Sequence, residues 1–118
     1  MAITESKIIE RVDNERPNVF DVESKFQWIT DFEGMVSRVV MQQEPVVYKY
    51  PRDMDTELLI GEPWEGLYGL YLEAMIDYHN REYNSYNAVM TMFNNRFEEY
   101  KKWYIRDHMP KSAGSIRY

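Results

Sequence analysis

Residues 83 to 104 read YNSYNAVMTMFNNRFEEYKKWY, and the spacing of their large side chains decides the fold. Tyr83, Tyr86, Met90, Phe93, Phe97, Tyr100 and Tyr104 follow one another by three, four, three, four, three and four. That heptad-like period lines them up along one face of a helix. Asn95, Arg96, Glu99 and Lys102 fall on the opposite face, as a solvated surface requires. Pro110 stops the helix, because a proline supplies no amide to continue the ladder. One long helix with an apolar seam needs other helices to cover that seam, which predicts a helical bundle.

Working upstream, Gly61 and Pro63 restart the chain as helix, with Pro63 near the first helical position. Trp64, Leu67, Tyr68, Tyr71, Met75 and Tyr78 form its stripe, with Leu70 and Ala74 beside it. Gly66 and Gly69 either admit a neighbouring helix or weaken this one by about 1 kcal/mol each. Asn80 is the expected left-handed stop. Further back, Val46, Val47, Tyr48 and Tyr50 are β-formers, residues 51–55 read as a turn, and Leu58, Leu59 and Ile60 are a second apolar run. These predict a short β-hairpin or arm. Such a hairpin is marginal alone and must pack on helices or pair with another chain.

The N-terminal third holds two helices. Thr4 caps the first, flanked by Ile3 and Ile8 at the staple positions, and Pro17 ends it. Asp21 caps the second, with Glu23 in its first turn. Its stripe is Val22, Phe26, Ile29, Val36 and Val40, widened by Phe32 and Val39. Pro45 limits its end. The expected fold class is therefore mainly α: about four helices, with the hairpin or arm between helices 2 and 3. Residues 1–109 form one domain, and 110–118 a C-terminal tail free to dock.

Composition narrows the function. At 118 residues the chain has room for one core. It has no Cys, which removes disulfides, Cys-based zinc, iron–sulfur ligation and Cys nucleophiles. Basic residues number 14 against 20 acids, a net charge of −6, which does not suit a grip on nucleic acid. The start of the chain lacks the apolar run of a signal peptide, and a soluble intracellular protein is expected. No Gly-rich phosphate loop and no nucleophile elbow occur. Glu73, Asp77, His79 and Glu82 are the one metal-site candidate, and a charged outer helix face is their plainer reading. The expectation is a non-enzyme with no cofactor.

Charge is unevenly placed. Residues 1–95 carry eight basic and seventeen acidic side chains, a net −9, while residues 96–118 carry six against three, a net +3. That polarity suits association of an acidic face with a basic one, with Arg96 and Lys102 on the basic side. Cations gathering at a helix C-terminus are the plainer explanation. Tyr48, Tyr50, Leu58 and Ile60 are the expected subunit contacts if the hairpin adds to a neighbour.

Six phrases together resemble the head–tail connector proteins of tailed bacteriophages, the small adaptors that complete the head. They are Ile8-Ile9-Glu10-Arg11-Val12-Asp13 with Arg16-Pro17-Asn18; Lys25-Phe26-Gln27-Trp28-Ile29 with Glu33-Gly34; and Tyr50-Pro51 with Asp53 through Ile60. The others are Tyr68 with Tyr71 through Tyr78; Glu82 through Asn87; and Met92-Phe93-Asn94 with Tyr100 and Trp103-Tyr104. The resemblance implies a helical subunit that forms a ring, typically twelve-fold, beneath the portal protein. Such a ring extends the channel through which DNA passes without specific binding, and it offers a surface to a tail or stopper protein. It implies a place in the virion, with assembly in the host bacterial cytoplasm and no membrane. It also implies that the C-terminal segment, here Met109, Pro110, Lys111, Ile116, Arg117 and Tyr118, docks on the portal. A small bacterial or prophage helical interaction module is the alternative.

Overall fold

A computed structural model describes residues 3–108. The chain is mainly helical: α1 (Glu5–Glu15), α2 (Val22–Met35), α3 (Gly66–His79) and α4 (Tyr83–His108). The two expected N-caps are in place. The Thr4 hydroxyl accepts from the Lys7 amide, and the Asp21 carboxylate from the Ser24 amide at 2.8 Å. Each satisfies one amide that the helix itself leaves without a partner.

After Met35 the second helix widens into a π turn over Val36–Val40. Its end is fixed by Ser37, whose buried hydroxyl donates to the Gly34 carbonyl and accepts from the Val46 amide, both at 3.0 Å. A side chain at Gly34 would sit 3.4 Å from the Val46 carbonyl oxygen, so the glycine lets the returning chain pass close by.

The hairpin expected between Tyr48 and Ile60 does not form. Among the described residues there is no strand, only an isolated antiparallel bridge between Thr4 and Glu57. The Leu58 amide donates to the Ile3 carbonyl at 2.9 Å, and the Ser6 amide to the Met54 carbonyl at 3.0 Å. The extended segment thus finds backbone partners in residues 3–6, while the Leu59 and Ile60 amides turn to the Glu33 carboxylate and the Tyr68 hydroxyl.

The third helix begins at Gly66, three residues after Pro63, because residues 62–65 form turns. α3 packs against α1, α2 and α4. It is covered on several sides, so Leu72 and Ile76, outside the expected stripe, are buried while Tyr78 is exposed. Its stop is a Schellman turn: the Glu82 amide donates to the Asp77 carbonyl and the Arg81 amide to that of Tyr78. The left-handed residue is Arg81, at φ 63°, and not Asn80.

The seam on α4 is as expected at its centre. Phe93, Phe97 and Tyr100 are buried, Met90 and Tyr104 are partly covered, and Tyr83 at the start is exposed. Phe32 of α2 lies edge-on to Phe93 and Phe97, with ring centres 5.4 and 5.8 Å away. No helix among the described residues is long and apolar enough to cross a membrane.

Candidate functional site

Two carboxylates with no solvent exposure set the geometry of the surfaces. Glu33 of α2 receives three donors. The Tyr68 hydroxyl lies 2.6 Å from Oε1, and the Tyr48 hydroxyl and Leu59 amide lie 3.0 and 2.6 Å from Oε2. The Tyr68 hydroxyl also accepts from the Ile60 amide at 2.9 Å. Burial raises the Glu33 carboxyl above its ordinary range, and the three donors pull it back. Burial and the neighbouring carboxylate hold the Tyr48 and Tyr68 hydroxyls protonated. Glu5 of α1 is less well served. Oε2 accepts from Thr30 at 2.9 Å, while Oε1 has no partner. Burial, reinforced by Glu33 and Asp53, pushes its carboxyl up to about 8. These two acids tie α1, α2, α3 and the 46–60 segment into one body.

A second polar clamp joins α1 to α3 and α4. Arg16 pairs with the buried Asp77, whose Oδ2 accepts from Ser85 at 2.7 Å. Glu73 adds a weaker partner 3.7 Å from Arg16. The four residues of the metal candidate are therefore divided: Glu73 and Asp77 turn to Arg16. His79 stacks on Trp28 at 4.6 Å and donates from Nδ1 to the Met75 carbonyl. Glu82 is exposed at the Schellman turn. Among the described residues, no three His, Cys, Asp or Glu side chains are grouped to hold a metal ion.

Aromatic side chains cluster at both ends of the α3–α4 hairpin, half-exposed at the turn end and more covered at the other. At the turn end, Tyr78 and Tyr83 are half-exposed with ring centres 6.0 Å apart, next to His79, Trp28 and Phe20. Val19, in the α1–α2 connection, is 92% exposed. At the opposite end, Trp64, Tyr100, Trp103 and Tyr104 form a chain of ring contacts that ends in His108, stacked 3.8 Å from Tyr104. An open cleft of about 230 Å³ runs beside them, bounded by Met41 and Leu59.

The expected subunit contacts fare unequally. Leu58 is 5% exposed and Ile60 is fully buried, so their side chains are spent within the subunit's own core. The Tyr48 hydroxyl is committed to Glu33. Leu58 is drawn in where its amide pairs with the Ile3 carbonyl, and Tyr48 is half-buried. Tyr50 keeps an exposed edge while its ring meets Phe26 at 5.4 Å. Arg96 lies 4.5 Å over the Trp64 ring, and Lys102 is exposed on the same helix. The docking segment, from Met109 to Tyr118, lies outside the described residues. The turn-end patch is not legible in the sequence, because Tyr78 and Tyr83 fit the apolar stripes of their helices yet stand exposed. The chain matches no family model, no curated protein and no solved structure.

Proposed function

We propose that this chain is a non-enzymatic virion adaptor of the head–tail connector type. In this reading its copies form a ring beneath the portal, extend the DNA channel and carry the attachment surface for a tail or stopper protein. The supporting observation is the ordered set of six phrases from Ile8 to Tyr104. They fall in turn on α1, α2, the 50–60 crossing, α3, the start of α4 and its second half, so the resemblance touches all four α-helices and leaves out the π turn at Val36–Val40. The exposed Tyr78 and Tyr83 at the turn end of the α3–α4 hairpin supply aromatic anchors of the kind that protein interfaces favour. Ring contacts are heterologous, joining two different surfaces of one chain, and the −9 and +3 regions are such a pair.

The test is sedimentation of the purified chain with portal oligomers encoded beside its gene. Co-sedimentation that weakens with added salt supports the reading, and a chain that stays in the supernatant at all salt concentrations overturns it. A helical interaction module draws on the same exposed Tyr78 and Tyr83. A gene neighbourhood lacking portal, capsid and tail genes favours that second reading.

A further inference from the structure

The cleft at the end of the α3–α4 hairpin away from the turn has a volume of about 230 Å³. That is below the roughly 300–1,000 Å³ of pockets that bury a drug-sized molecule, so it suits a small group. Tyr100, Trp103, Tyr104 and His108 all line it. Trp103 stands at 68° to Tyr104 and at 79° to His108, with ring centres 6.4 and 6.1 Å away. Tyr104 and His108 lie nearly parallel, 3.8 Å apart. The rings thus make the two walls of a corner, and a group seated there meets more than one of them. An aromatic ring is electron-rich on its face, so walls of this kind attract a cation.

The chain already places cations on neighbouring rings. Arg96 lies 4.5 Å over Trp64 and Lys101 5.3 Å over Phe97, and both rings touch Tyr100. Each of these cations spends hydrogen bonds elsewhere, Arg96 on the Pro63 carbonyl and Lys101 on Glu98. Among the described residues no Lys or Arg lines the cleft itself, whereas the exposed Glu62 does. Hydrogen-bonding capacity then selects the kind of cation. A lysine ammonium brings three donors and a guanidinium five. The side chains around the cleft are mostly rings and the Met41 thioether, so most of those donors would leave water without a partner. A tetraalkylammonium has no N–H to satisfy. We propose that this cleft binds the quaternary ammonium head of a small choline-like solute, held against Trp103 and Tyr104 with Glu62 as its counter-charge. The inference does not depend on the adaptor reading.

Titration of the full chain with choline chloride at constant ionic strength tests this, read by NMR at the indole N–H groups. Trp103 is expected to shift saturably, while Trp28, which packs on Phe20 at the turn end, stays still. No shift at Trp103 overturns the proposal. The uncharged carbon isostere of choline is expected to bind at least roughly fivefold more weakly, and guanidinium more weakly than choline. An isostere that matches choline, or a guanidinium that exceeds it, overturns the proposal. Phosphatidylcholine vesicles carry the same head. Sedimentation with them in a chain that ignores free choline also overturns it, because the head is then recognised at a lipid surface. Tyr104→Phe keeps the ring face and Tyr104→Leu keeps only the apolar bulk. The Leu variant is expected to bind at least roughly fivefold more weakly than the Phe variant, and equal affinities overturn the proposal. Glu62→Gln is expected to weaken binding roughly fivefold, and indifference to it removes the counter-charge and the proposal with it.

Discussion

On its α4 side, α3 meets a layer of rings: Phe93 stacked on Phe97, with Phe32 edge-on to both and Tyr71 stacked on Phe32. On the side of the 46–60 segment, the same helix sends Tyr68 to a buried carboxylate that also holds Tyr48 and the Leu59 amide. The two regions fail differently. Loss of one ring leaves a cavity that neighbours partly fill, with a cost that grows with the void. Loss of the carboxylate strands several buried donors at once, and one of them belongs to the backbone of a segment with no ladder of its own. A segment without regular structure can be as firmly placed as a helix when one acid collects its donors.

The largest effect is expected at that acid. Glu33→Ala should cost about 4–6 kcal/mol, from two or three unsatisfied buried donors at roughly 1–3 kcal/mol each. Hydrogen exchange should accelerate in residues 46–60 before it does in α4. Uniform acceleration would erase the distinction between the regions. Phe93→Ala should cost about 3–5 kcal/mol by denaturant unfolding, with exchange rising across both α3 and α4. A near-neutral result would mean that the seam faces a partner and not the core.

Glu5 sharpens the contrast, since one of its oxygens has no partner. Its carboxyl is raised from 4.5 to about 8, so between those values the folded chain binds more protons than the unfolded one. Stability from this group is complete below pH 4.5 and is lost as pH rises to 8. Glu5→Gln should remove about 2–4 kcal/mol of that pH dependence and leave the variant more stable than the parent above pH 8. Melting curves that keep the parent's full slope would contradict this. Glu33, raised in the same direction, still contributes in the variant. Smallest is Gly69→Ala inside α3, expected to add about 1 kcal/mol in thermal unfolding, because the added methyl makes only an ordinary contact with a Val12 methyl at 3.9 Å. A loss of stability there would show that the glycine serves the fold.

The same contrast explains what the sequence made legible. Phe93, Phe97 and Tyr100 announce themselves by spacing, and Thr4 and Asp21 by position, because a helix carries its own ruler. Val46 to Ile60 shows that the chain is extended but not what it pairs with, and Ile3 lies more than forty residues away. Glu5 and Glu33 look like any solvated acid, since no pattern distinguishes a carboxylate whose donors come from distant segments. Arg16 and Asp77 are 61 residues apart, which hid the clamp that takes Asp77 out of the metal candidate. The left-handed stop fell one residue late because Arg81 tolerates a conformation for which Asn80 was the better candidate.

Electron microscopy of portal-bearing heads incubated with the purified chain tests the central claim most directly. The adaptor reading predicts a closed ring of helical subunits beneath each portal, with one end of the α3–α4 hairpin at every subunit boundary. Bare portals beside a chain that remains monomeric would contradict it.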